Sequence, residues 1–142
     1  MKPLMFSALA AACFALPASA EILISDAYAR ASGMSAKAGA AFMTITNTGD
    51  TDDRLLSVAS DAAKRTEIHT HKETGDGIMK MVEVEGGLPI PAGAAHGLAR
   101  GGDHIMFMGI TEPFEQGKII AVEMTFEKAG VMRVEIPVDL TR

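Results

Sequence analysis

Three clusters in this sequence repeat histidine or methionine at alternate positions: His69-Thr70-His71, Met79-Lys80-Met81 and His104-Ile105-Met106-Phe107-Met108. Alternate side chains of an extended strand point the same way, so each cluster would carry its imidazoles or thioethers on one face. Neutral imidazole and thioether form a soft donor set, and monovalent copper is the first-row ion that suits them best. A thioether binds without first losing a proton, and it is less open to oxidation than a thiolate. Two methionines and two neutral histidines would leave a cuprous site with a single positive charge, tolerable in a partly exposed pocket with apolar walls.

Each residue also has an ordinary structural explanation. A lone histidine in a strand is usually a hydrogen-bonded structural group, and a methionine on an alternating strand is usually core filler. The recurrence of three such clusters is what core packing alone does not produce. Met108 continues the face of His104 and Met106 but lies deeper, so the pattern assigns it to the core. Met43, Met124 and Met132 sit in apolar runs without a histidine neighbour and are expected to pack there too.

The elements that must position these clusters read as short strands. Ile22 to Ala31, Ala40 to Thr48, Leu55 to Ser60, Arg65 to His71 and Ile78 to Val84 are apolar or alternating runs separated by turn residues. Thr74-Gly75-Asp76-Gly77 makes a hairpin of the fourth and fifth, joining the His pair to the Met pair. Gly86 to Gly93 carries Pro89 and Pro91 and is expected to be an irregular crossing, followed by an edge strand from Ala94 to Arg100. A tight turn at Arg100-Gly101-Gly102-Asp103 leads into His104 to Ile110, and Lys118 to Glu127 with Val131 to Val138 form a closing hairpin. No stretch sustains helical periodicity, which predicts an all-β chain: an antiparallel β-sandwich with Greek-key connections.

Residues 1–20 read as a signal peptide, with Lys2, an apolar stretch from Leu4 to Leu16 too short to span a bilayer, and the cleavage motif Ala18-Ser19-Ala20. Ala11-Ala12-Cys13 also permits a lipoprotein reading, but the later site is the better one. The expected mature domain, residues 21–142, is long enough for one core and too short for two. Cys13 is the only cysteine, so the mature chain has neither disulfide nor thiolate ligand. Removing Lys2 takes the formal charge from −5 to −6, which argues against nucleic acid and anionic membranes as partners. No stable membrane insertion is expected after cleavage, and the location implied is the periplasm. No nucleophile–base arrangement or phosphate-binding glycine loop is evident, so no enzymatic activity is expected.

The series EIHTH, GIMKM, EGGLPIPAG and GGDHIMFMGI resembles the PCuAC-type periplasmic copper chaperones, whose ordered motif is a His, a Met and a His-x-Met. The resemblance spans essentially the whole mature chain. It implies His69, Met81, His104 and Met106 as ligands to Cu(I), with His71 and Met79 as alternatives. Eleven residues separate His69 from Met81 and twenty-two separate Met81 from His104, each one more than the family's usual interval, and the glycine turns can absorb the excess. The Met- and His-rich tail found in some relatives is absent, which weakens the case for a second, divalent site. The resemblance further implies a cupredoxin-like sandwich, and delivery of copper to the CuA site of cytochrome c oxidase subunit II, alongside Sco-type thiol proteins.

Two rival constellations compete. His69, His71, Glu73 and His96 loosely resemble the metal motifs of cupins, which would make the chain a divalent-metal enzyme or sensor. That reading leaves the HIMFMGI run without a role, and otherwise His96 is expected in a loop near the site. A blue-copper electron carrier needs a cysteine thiolate that the mature chain lacks.

Overall fold

A computed structural model describes residues 21–142, and the expected signal peptide lies outside them. Ten strands account for the regular structure: β1 Ile22–Ala31, β2 Ala38–Asn47, β3 Asp53–Ala59, β4 Ala63–Glu73, β5 Met79–Glu83, β6 Leu88–Ile90, β7 Ala95–Leu98, β8 His104–Ile110, β9 Ile119–Phe126 and β10 Gly130–Pro137. They form two sheets, one ordered β1-β2-β8-β4-β5 with β7 also on β2, the other ordered β10-β9-β3-β6. All pairings between these strands are antiparallel. Among the described residues no helix is long and apolar enough to cross a membrane.

Alternation explains how the sheets stack. In β2, Gly39, Ala41, Met43, Ile45 and Asn47 are buried while Ala38, Ala40, Thr44 and Thr46 are less so, and one face therefore meets the second sheet. Ile105 and Phe107 of β8 and Ile68 of β4 continue that inner face, against Leu55, Val122, Met124, Phe126 and Ile136 from the other sheet. Phe107 meets Phe114 edge to face at 5.4 Å. Each such large side chain, fully buried, contributes about 1.5–3 kcal/mol of transfer free energy. Met43 and Met124 are core residues and Met132 packs against the core, as their apolar neighbours imply.

Two departures from the sequence pattern concern the edges. The stretch expected to be irregular contains β6, in which Pro89 sits opposite Arg54. Its place at the rim of the four-stranded sheet is the one setting where a residue without an N–H costs no ladder bond. The second departure is Met108, assigned to the core from the pattern. It is only half-buried, because it lies on the outer face of its sheet, away from the second sheet and beyond the part of that face that covers His104.

The unusual join is at β2. Its first half, Ala38 to Ala41, pairs with β8, and its second half, Met43 to Thr46, pairs with β7. The two strands therefore run end to end along one side of β2, with residues 99–103 between them. That turn, closed by the Gly102 N–H donating to the Ala99 carbonyl at 2.9 Å, stands beside the start of β8.

Candidate metal centre

Register brings the three clusters onto one surface. His69 is opposite His104, Glu67 is opposite Met106, and His71 is opposite Met81, with Glu73 opposite Met79. Directly paired residues share a face. All of them therefore stand on the outer face of the six-stranded sheet, away from the core. On the far side of β8, Met106 faces Ala40 of β2, a side chain short enough to leave a hollow.

That hollow is a cavity of about 370 Å³ lined by His71, Met81, His104 and Met106, with Phe42, Ala31, Ala38, Gly39 and Ala40 as apolar wall and Arg30, Ser32, Arg100 and Gly101 at its sides. The ring centroids of His71 and His104 are 5.5 Å apart, and those of Phe42 and His104 are 6.2 Å apart. Of the ligands implied by the family motif, Met81, His104 and Met106 line the cavity. His69 does not, although its ring centroid is 6.0 Å from that of His104.

The hydrogen bonds decide which nitrogens are available. The Gly102 carbonyl, which can only accept, takes Nδ1–H from His104 at 3.0 Å and from His71 at 3.2 Å. Both imidazoles are thereby held in the Nδ1–H tautomer, and each Nε2 keeps its lone pair for a metal. His69 is held the opposite way. Its Nε2–H donates to the Glu67 carboxylate at 2.8 Å, and its Nδ1 is buried with no hydrogen-bond partner. Glu67 also accepts from Arg65, and the His69 hydrogen bond, ahead of Arg65, holds its carboxyl below the usual carboxylate range. Two free Nε2 atoms, two thioethers and one orphaned buried nitrogen next to them are a donor set that fits a soft cation.

Burial lowers the His104 pKa, opposed by the bond to Gly102 and by Asp103, and reinforced by the neighbouring His71 and His69. The imidazole is 3% exposed, so it remains neutral where an exposed histidine would already be protonated. The folded value lies below the ordinary 6.5, so on acidification the unfolded chain takes up this proton before the folded chain does. Folding stability therefore falls as pH drops from about 6.5 to the folded value. Urea midpoints at pH 7.5 and pH 5 check this: wild type should lose more stability than His104→Gln over that interval.

The remaining candidates go elsewhere. Met79 is 58% exposed on the β4–β5 hairpin and does not line the cavity. The cupin-like set, His69, His71, Glu73 and His96, is not assembled: among the described residues no three of His, Cys, Asp and Glu converge as a metal site. Glu73 is exposed at the end of β4. His96 is on β7 rather than in a loop, opposite Ile45 on the inner parity of β2, and its Nε2 meets the Asp103 carboxylate at 2.7 Å. That pair spans residues 99–103 and braces the segment that carries the Gly102 carbonyl. Sequence reasoning missed Phe42, Arg30, Arg100 and Gly102, which are ordinary strand and turn residues until the register is known.

Comparison with known proteins agrees with this architecture. The family model described as "Putative lipoprotein LpqE-like" matches residues 22–138. A protein of Leifsonia xyli subsp. xyli, itself named as a lipoprotein, is 35% identical over 131 residues, covering 87% of this chain and 77% of its own. The solution structure of the copper(I) form of DR1885 from Deinococcus radiodurans superposes with a TM-score of 0.64 at 30% identity, over 92% of this chain and 84% of that one. The apo PCuAC domain from PmoF1 gives a TM-score of 0.72 at 23% identity, over 86% of this chain and 96% of that one. The copper-bound PCuAC domain from PmoF2 gives 0.69 at 22% identity, over 87% and 96%, and these last two likenesses speak to the fold alone. The chain thus belongs to the LpqE-like family, and its cupredoxin-like sandwich is the fold of PCuAC copper-chaperone domains.

Proposed function

We propose that this protein is an exported copper chaperone that carries one Cu(I) in the cavity on the outer face of its larger sheet. His71 and His104 supply Nε2, and Met81 and Met106 supply their sulfurs. The observation that carries this reading is the shared Gly102 carbonyl, which leaves Nε2 of both imidazoles free for a metal before any metal arrives. His69, the ligand implied by the family motif, would have to bind through Nδ1, and its orphaned atom is the argument for that second assignment.

The donor set also supports transfer rather than retention. Thioethers and imidazoles hold Cu(I) less tightly than thiolates do, so passage to a cysteine-bearing acceptor is downhill. The acceptor we propose is the CuA site of cytochrome c oxidase subunit II, with a Sco-type thiol protein in the same route, and the compartment is the periplasm. Export would depend on residues 1–20, and the lipoprotein name of the relative makes Cys13 the competing anchor. The mass of the mature N-terminus separates cleavage before Glu21 from lipidation at Cys13.

Anaerobic titration of the mature protein with Cu(I) against a chromophoric chelator tests the core of the proposal. One ion per chain is expected, with both sulfur and nitrogen scatterers in the copper X-ray absorption spectrum. Absence of stoichiometric Cu(I), or a site with nitrogen and oxygen donors only, would overturn it.

A further inference from the structure

Two arginines, Arg30 and Arg100, line the cavity proposed for copper, and no carboxylate does. This distribution is unexpected in a chain whose formal charge is −5. The other described cavities each include a carboxylate, such as Asp61 and Glu112 in one, Asp52 and Asp53 in another and Glu67 and Glu83 in a third. Cations beside a cationic cargo oppose its binding, so metal affinity gives no reason for them. Arg30 is already held by an Arg142 main-chain oxygen at 2.6 Å, whereas Arg100 makes no side-chain hydrogen bond or ion pair among the described residues. The carboxylates beside the cavity lie outside it: Glu67 is taken up by Arg65 and His69, Asp103 by His96, and Glu73 and Glu83 stand opposite Met79 and His69.

The rim is apolar as well as cationic. Met79, 58% exposed, shares the outer face of β5 with the cavity-lining Met81, and Met34 is exposed two residues from the cavity-lining Ser32. The cavity, at about 370 Å³, has room for far more than one ion. Exposed apolar side chains with two arginines, one of them without a partner among the described residues, around a concave centre are the composition of a protein-binding patch.

We propose that this rim docks an acidic protein surface presenting thiolates, with Arg30 and Arg100 facing the partner's anionic groups and Met34 and Met79 its apolar ones. The proposal rests on the copper-carrier reading and adds the charge of the acceptor. Transfer then proceeds without redox change. Copper remains monovalent, each incoming thiol gives its proton to water as it binds as thiolate, and the His and Met ligands leave as neutral groups. The loaded site carries one more positive charge than the empty one, so loading favours docking and discharge favours release.

Two synthetic peptides sharing a Cys-x-x-Cys core, one flanked by Asp and Glu and the other by Lys, provide the test. From the Cu(I)-loaded protein at low salt, the acidic peptide is expected to take copper at least about tenfold faster. The advantage should vanish in about 0.3 M salt, where the screening length is only a few ångströms, and in the Arg30→Gln/Arg100→Gln variant compared at equal Cu(I) loading. Equal rates for the two peptides, or a preference that survives the double substitution, would overturn it. Serine-for-cysteine versions of both peptides, titrated into the copper-free protein, read docking even if no copper binds. The acidic one alone should shift the amide resonances of Arg30, Ser32 and Gly101, and shifts from both peptides or neither refute the surface. The same resonances moving with phosphatidylglycerol vesicles and not with the peptide would assign the patch to a membrane instead, and also refute it.

Discussion

His104→Ala combined with Met106→Ala should lower Cu(I) affinity by at least about a thousandfold, since loss of even an outer-shell partner costs about 10–100-fold and here two direct ligands go. His104 should dominate the pair. It is the most buried of the proposed ligands and stands between His69 and His71, so no solvent molecule readily takes its place. Met81→Ala should cost least, because that side chain is already 41% exposed and its loss opens little new surface. The informative comparison is between the neighbouring histidines. His71→Ala should weaken Cu(I) by about 10–100-fold, whereas His69→Ala should leave it within a few-fold, since the ring of His69 is committed to Glu67 and lies off the cavity. Competitive chelator titrations measure all four variants on one scale. An effect of His69→Ala larger than that of His71→Ala would transfer the ligand role to His69 Nδ1. His104→Gln serves as the folding control, preserving polarity where the imidazole is buried.

The period-two pattern made the strands readable because one face of each is buried and the other is not. Ile105 and Phe107 alternate with His104 and Met106 whatever the partner strand, so the shared face of that cluster needed no structure. The reading of Met108 failed where it added depth to parity. The sequence carries the side of the sheet on which a residue stands, but not how far that side is covered: on the outer face of β8 His104 is buried while Met106 and Met108 are only half-buried. β6 escaped notice because Pro89 argues against a strand unless the edge position is known. The choice between His69 and His71 is of a third kind. Both share one face of β4, and only the cross-strand register, which sets His71 against Met81 and His69 against His104, distinguishes them. The His71–Met81 register is set locally by the hairpin turn, but the His69–His104 register joins strands more than thirty residues apart and depends on the packed core, which no local motif encodes. Gly102 was read only as a turn glycine, yet its carbonyl fixes both tautomers.

Asp103→Ala should reduce Cu(I) affinity by about 10–100-fold although Asp103 is not among the proposed ligands, and His96→Ala should do nearly the same. The reason is mechanical. His96 Nε2 and the Asp103 carboxylate join across 2.7 Å and close residues 99–103 between β7 and β8, and the Gly102 carbonyl sits inside that closure. Released from the brace, the carbonyl would no longer hold both Nδ1–H groups at about 3 Å, and the Nδ1 and Nε2 tautomers of His71 and His104 would mix. Both members of the brace are partly solvent-accessible, so global stability should change by only about 0–1 kcal/mol. Two-bond nitrogen–proton couplings of the imidazole rings report the tautomer directly. The copper-free wild type should show Nδ1–H for both rings, and each variant a mixture. Because the two residues act as one device, the double variant should bind copper no more weakly than the worse single one. Additive losses would mean that His96 and Asp103 act on copper separately, while an intact tautomer pattern with weakened binding would point to the charge of Asp103 beside a cation. The affinity change and the ring spectrum must move together if the turn, rather than the carboxylate's field, presents the two nitrogens to the metal.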